Sequence, residues 1–172
     1  MRIAFTGTHR VGKTTLATAI ADSLPDFTLM DEPYHQLQES GYLFSEEPSL
    51  DDYRAQFDFS VKQLEHKDDQ VIFDRCPLDL LAYIHISDQS KDISLLYETM
   101  MDALSNLDLI VFVPIENPDL ILCAPDDLPR LRQKVNDVLE NWLADLHQPM
   151  ISVNGTLAQR KKQVLDALAS LP

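Results

Sequence analysis

Residues 7–14 read GTHRVGKT, two glycines enclosing four residues and followed at once by lysine and threonine. Each residue type meets a demand of polyphosphate chemistry. Gly7 and Gly12 let the backbone wrap closely round a phosphate, and the amides of Thr8, His9, Arg10 and Val11 supply N–H donors. Lys13 reaches the β- and γ-phosphates, and the Thr14 hydroxyl ligates Mg2+. Thr15 either adds a hydroxyl near the α-phosphate or is an ordinary helix residue. A chance glycine turn is the bland alternative; the apolar run before the motif and the helical spacing after it argue against that.

Three further segments carry charge where chemistry would need it. FTLMDEPYHQL ends an apolar run in Asp31 and Glu32. A carboxylate there, opposite a γ-phosphate, can take the proton from an attacking hydroxyl; the competing role is capping a helix that starts near Tyr34. VIFDRCPLDLLAYI ends another run in Asp74, placed to order Mg2+ through water, and Arg75, able to face a phosphate or an acceptor. Mutual pairing of these charges with neighbours is the alternative, and Asp79 reads equally as a helix-dipole residue. PDDLPRLRQK, residues 125–134, gathers Arg130, Arg132 and Lys134, which either close over phosphates or form a solvated helix face.

The elements that must position these residues alternate. Short apolar runs at 2–6, 27–30, 71–73, 107–113 and 150–153 suit strands buried on both faces. Helical spacing fills 14–24, 50–66, 78–86, 93–104, 128–146 and 157–171. The pattern predicts βα units around a five-stranded parallel sheet, an α/β/α sandwich, with one domain over 1–172. Residues 40–49 and 114–129 read as loops long enough to be functional covers.

Composition narrows the classes. Fourteen Lys and Arg against 28 Asp and Glu give a formal charge of −14, which repels nucleic acid; the sole basic run is Arg160, Lys161 and Lys162. A small anionic ligand therefore needs local cations. Cys76 and Cys123 form no CxxC pair and read as packing residues in a reducing compartment. No run approaches the ~20 apolar residues of a membrane span. A soluble cytoplasmic protein is expected, with the outer faces of 50–66 and 93–104 as a possible homodimer surface.

The order GxxxxGKT, DEP, DR, an Arg-bearing loop and VNGT before a last helix resembles the P-loop nucleoside and nucleotide kinases over nearly the whole chain. DEP is similar to the Glu-Pro motif of deoxynucleoside kinases, and the chain as a whole also resembles the thymidylate kinases. DRCPLDLLAY is similar to the DR-x-x-x-D segment of ribosylnicotinamide kinase and the related small AAA-like kinases. The resemblance implies that Glu32 is the general base and that Arg75 steadies phosphate or base. It implies a short lid at about 114–134, with Asn154 and Gly155 bordering an adenine. Gln56 corresponds loosely to a base-reading glutamine, and is otherwise an ordinary helix position. The expected cofactors are ATP and Mg2+. The expected activity is transfer of a γ-phosphoryl group to a small molecule, first a nucleoside and second a nucleoside monophosphate served by Arg54. Tyr34, Tyr53, Phe57 and Tyr83 are candidates for a stacking pocket. A regulatory nucleotide-binding module is the alternative from another class.

Overall fold

The computed structural model describes residues 1–65, 68–119, 121 and 123–171. Five strands, β1 (Arg2–Thr6), β2 (Thr28–Met30), β3 (Val71–Asp74), β4 (Leu109–Phe112) and β5 (Met150–Ser152), form one parallel sheet in the order β2-β3-β1-β4-β5. Parallel neighbours cannot be joined by a hairpin, so each connection is a crossover that lays helices on the faces. Helices α1 (Lys13–Ala21) and α7 (Leu157–Ser170) cover one face. The other carries α3 (Leu50–Glu65), α4 (Pro77–Ser87), α5 (Ser94–Leu104) and α6 (Pro129–Ala144), and α2 (Pro33–Glu39) packs on α3. The arrangement is the expected α/β/α sandwich.

Two apolar cores lie either side of the sheet. Ile3, Phe5, Ile72, Val111, Leu16, Ile20 and Val164 build one; Ala4, Phe73, Ile110, Phe57, Leu80, Leu81, Val135 and Leu139 build the other. Because successive strand residues point to opposite faces, β1, β3 and β4 feed both cores and are apolar nearly throughout. The edge strands differ from the sequence expectation. β2 and β5 are only partly buried, since each has a neighbour on one side alone. Helix α4 is buried from Pro77 to Ile84, which explains its all-round apolar sequence: it is enclosed by the sheet, α3, α5 and α6.

Boundaries follow local chemistry. Pro33, Pro77 and Pro129 each open a helix, where a missing N–H costs nothing. Thr156 caps α7, accepting from the Gln159 N–H at 3.4 Å. The stretch 114–129, read as loop, includes a 3-10 turn at Pro125–Asp127. Helix α2 was expected only as the alternative use of Glu32. Among the described residues no helix is long and apolar enough to cross a membrane.

The carboxyl ends of β1, β2, β3 and β4 share one edge of the sheet, where parallel α/β proteins bind ligands. Gly7 leaves β1 there with φ +145°, and a Cβ on it would run into the carbonyl oxygen of Val113 at the end of β4. Only glycine lets the two strand ends close.

Candidate active site

The loop from Gly7 to Gly12 turns back over the end of β1 and delivers Lys13 and Thr14 to the first turn of α1, with Gly12 in the left-handed region (φ 88°). Its outer side is held by two buried arginines. Arg132 of α6 donates from Nε to the His9 carbonyl (3.0 Å) and from Nη2 to the Arg10 carbonyl (2.9 Å); Arg160 of α7 donates from Nη1 to the Val11 carbonyl (2.7 Å). In a trans peptide the N–H points opposite to the C=O, so the amides of Arg10, Val11 and Gly12 are turned towards the concave side. Each guanidinium is neutralised from the segment after β4: Arg132 by Asp119 (2.5 Å) and Arg160 by Glu116 (3.0 Å). Glu116 also accepts the Gly155 N–H (2.5 Å), tying in the loop after β5.

On the concave side, Lys13 is buried and its Nζ donates to the Thr8 carbonyl (2.7 Å). Burial, with Arg75 adding to it, brings its pKa down to about 8. The Thr14 hydroxyl donates to Glu32 Oε1 (3.3 Å), and Arg75 Nε stands 3.3 Å from the other Glu32 oxygen. Arg75 adopts φ 95°, bending the chain just past β3, and its Nη1 lies 3.2 Å from Asp79 in α4. Asp79 is fully buried, and burial pushes its pKa up to about 6 against the pull of Arg75.

Glu32 sits at the start of α2, yet its side chain makes no cap bond. It faces the loop instead. Burial would raise its pKa, but Arg75, Lys13, His35 and the Thr14 hydroxyl together hold it below the ordinary carboxylate range. Asp74 is pushed the other way, chiefly by burial and further by Glu32, and its Oδ1 has no hydrogen-bond partner among the described residues. A hydrated Mg2+ beside Thr14 would satisfy that oxygen, so the residues fit the ion. Among the described residues no group of three His, Cys, Asp or Glu side chains is placed to hold a metal ion.

His9 and Tyr83 link this loop to the segment at Asp127. The Tyr83 hydroxyl accepts from the His9 N–H (2.8 Å) and lies 2.6 Å from His9 Nδ1 and 3.2 Å from the Thr8 hydroxyl. His9 Nε2 is 2.6 Å from the Asp127 carbonyl, which can only accept; Nε2 therefore carries the proton and Nδ1 accepts from Tyr83. Burial lowers the His9 pKa, keeping the ring neutral.

Three hollows meet at this edge. One of about 530 Å³ is lined by residues 9–15 with Glu32, Arg75, Ile121 and Asp127. A smaller one of about 200 Å³, sharing Gly12, Thr15 and Ile121, is completed by Gly155, Thr156, Leu157 and Arg160. The third, about 370 Å³, has aromatic walls of Tyr34, Phe44, Tyr53 and Tyr83, with Gln56 and Asp52 from α3. Glu32 and Arg75 line both the first and the third.

The structure thus gathers Lys13, Thr14, Glu32, Asp74 and Arg75, with Thr15 and Gly155 in the adjoining hollow. It moves other expected residues away. Arg130 is exposed, makes no hydrogen bond or ion pair to the loop among the described residues, and lines neither the P-loop hollow nor the aromatic one; Arg132, two positions on, takes the inward side of α6. Asn154 is exposed, its backbone bonded to Gln163. Phe57 is core, and Arg54 is exposed and paired with Asp58. Cys76 is buried as expected, whereas Cys123 is partly exposed. Arg160, read as part of a basic run, proved to be a buried anchor; neither it nor its partner Glu116, nor the Asp119 that pairs with Arg132, carries any signal in the local sequence.

The chain has a P-loop fold of the kind seen in nucleoside and nucleotide kinases. Residues 2–160 match the model of a family described as AAA domain, and the chain belongs to that family. Among curated proteins no sequence match is found. Solved structures are similar in fold. Deoxyadenosine kinase from M. mycoides with dCMP and a flexible dCDP bound is 17% identical, with TM-score 0.70 and full coverage of both chains. NadR in complex with NAD and AMP-PNP is 17% identical with TM-score 0.73; the match covers 99% of this chain and 49% of NadR, so this chain spans about half of that protein. Thymidylate kinase from Ehrlichia chaffeensis is 16% identical with TM-score 0.70, covering 98% of each chain.

Proposed function

We propose that the protein is an ATP- and Mg2+-dependent kinase that phosphorylates a hydroxyl group of a nucleoside or related small molecule. The observation that carries this reading is the shared wall: Glu32 and Arg75 border both the P-loop hollow and the aromatic hollow, so a hydroxyl in one can meet a γ-phosphate in the other.

In this reading the loop amides and Lys13 hold the β- and γ-phosphates, while Thr14 and Asp74 hold Mg2+, which neutralises charge developing on the transferred group. The small hollow at Gly155 takes the adenine. Arg75 contacts the phosphoryl group or the acceptor. Glu32, kept ionised by its cationic neighbours, accepts the hydrogen bond of the attacking hydroxyl and takes its proton as the bond to phosphorus forms. A loose phosphoryl-transfer transition state asks more for orientation than for a strong base, so a depressed pKa suits the task. The Arg132–Asp119 contact supports a lid over 114–134 fastened to the loop, and leaves Arg130 as a lid residue without a defined phosphate contact.

The charge of the aromatic hollow favours a nucleoside over a nucleoside monophosphate. Glu32, Glu46, Asp52, Asp126 and Asp127 line it against Arg75 and a neutral His9, and Arg54 lies elsewhere. A second phosphate there would be repelled. Deoxyadenosine kinase and thymidylate kinase carry in their names the two acceptor classes at issue.

The test is ADP release from Mg·ATP by purified protein across nucleosides, ribosylnicotinamide and nucleoside monophosphates. Stimulation by an uncharged or cationic nucleoside, lost in Glu32→Gln, supports the reading. Tight ATP binding with no stimulation by any compound would replace it with a regulatory nucleotide-binding module.

A further inference from the structure

Helix α3 lines two separate cavities. Its first half lines the aromatic hollow through Asp52, Tyr53 and Gln56, while its second half, with Phe59, Lys62 and Gln63, roofs a separate cavity of about 430 Å³ against β2 and β3. Met30, Val71 and Phe73 form its apolar floor. The two strands run on within two residues to Glu32 and Arg75, but no residue is shared with the P-loop hollow.

The polar groups of this cavity are donors short of acceptors. Arg2 is 9% exposed and Gln63 8%. The Arg2 guanidinium donates only to backbone carbonyls, from Nη1 to Asn106 (3.1 Å) and from Nη2 to Gln63 (3.5 Å), and lies 5.4 Å from the centre of the Phe73 ring. Its Nε and the Gln63 Nε2 have no partner among the described residues, and no carboxylate there pairs with the guanidinium. Lys62 adds a second cation at the rim, opposed among the lining residues by Asp68. A buried cation without a contacting anion is costly, as is an unmade buried hydrogen bond. Asp108, Asp68 and Asp69 lie near enough to pull the Arg2 pKa upward, yet burial outweighs them and lowers it, so none of these acids compensates the buried guanidinium.

We propose that this cavity is a second ligand site, for a small oxyanion carried on an apolar ring or chain. The carboxylate or phosphate end takes the Arg2 Nε–H, the Gln63 amide and the Lys62 ammonium, and the apolar body packs on Phe73, Val71 and Met30. A bare inorganic anion would leave the floor unfilled, and an uncharged ring would leave the donors unmade.

The experiment uses the full chain with its P-loop saturated by Mg·ADP, so that an oxyanion is not read from the nucleotide site. Benzoate and phenyl phosphate are titrated by heteronuclear NMR, with benzyl alcohol as the uncharged control. We expect at least one of the two anions to bind with shifts centred on Gln63, Val71 and Phe73, and benzyl alcohol to bind at least tenfold more weakly. Lys62→Glu, an exposed position, should weaken binding tenfold or more with unchanged circular dichroism and Tm; Gln63→Leu should do the same if it folds. No shift with either anion, equal binding of benzyl alcohol, or binding indifferent to Lys62→Glu would each overturn the proposal and leave water as the partner of Arg2.

Discussion

Arg75 Nε stands 3.3 Å from Oε2 of Glu32, joining the residue after β3 to the residue that opens α2. The contact fixes Glu32 towards the loop rather than towards its own helix, and its other oxygen receives the Thr14 hydroxyl. Glu32→Gln keeps the shape and removes the charge. Its expected effect is a fall in phosphoryl transfer of about 10²- to 10⁴-fold, with Mg·ADP affinity kept within a few-fold. Steady-state kinetics and calorimetric titration measure both; equal losses in rate and nucleotide affinity would count against an acceptor-side role.

Lys13 supplies a pH prediction. Its pKa is about 8 in the nucleotide-free protein, against an ordinary 10.5. The folded protein therefore releases this proton before the unfolded chain does, and the contribution of Lys13 to stability becomes more favourable as pH rises from 8 to 10.5. Nucleotide binding runs the other way. Phosphates restore the ammonium, so binding takes up a proton above pH 8, and affinity should fall by up to about tenfold per pH unit there. Titration calorimetry in two buffers of different ionisation enthalpy reads the proton uptake, which should vanish in Lys13→Ala.

The Arg160–Glu116 pair is almost wholly buried, and Arg160 also holds the Val11 and Gly155 carbonyls. Arg160→Met strands Glu116 and frees both carbonyls. Breaking such a pair costs about 3 kcal/mol, read from urea unfolding. Nucleotide affinity should fall as well, because the amide of Gly12 is no longer set by its carbonyl partner. An unchanged denaturation midpoint would contradict the anchoring role.

Tyr83 is stacked on Tyr53, with ring centres 4.9 Å apart, so Tyr83→Phe preserves the packing and deletes only the hydroxyl. That leaves the His9 N–H without its acceptor, at a cost of roughly 1 to 3 kcal/mol. The Tm should drop, and the His9 ring signals should shift as Nδ1 loses its donor. Identical spectra for the two proteins would show the hydroxyl is not the hub.

Gly7→Ala should fail to give folded protein at 37 °C, because a Cβ meets backbone rather than a movable side chain. Gly41→Ala is the contrast. It meets open space and suffers only the left-handed φ of 95°, a penalty of about 1 kcal/mol. Comparable losses in the two would remove the steric explanation.

The sequence by itself determined the elements and the phosphate loop, because both are written in local code. Apolar runs and helical spacing give the strands and most helices, and GTHRVGKT needs only its own strand and helix to be specific. It also placed Glu32, Asp74 and Arg75 at strand ends, since a parallel sheet brings all such ends to one edge. What it left open depends on contacts far apart in the chain. Whether Glu32 caps α2 or faces Thr14 is decided by Arg75 across the sheet. Whether Arg130 or Arg132 turns inward is decided by how α6 seats on α4 and the loop, an angular matter of 100° per residue that a stretch with two nearby arginines does not reveal. Arg160 looked like one member of a basic triplet, and only the packing of α7 on α1 sets it against the carbonyl of Val11, 149 residues away in sequence. The acidity of the aromatic hollow is of the same kind: its five carboxylates come from four separate segments, and their sum exists only once the chain is folded.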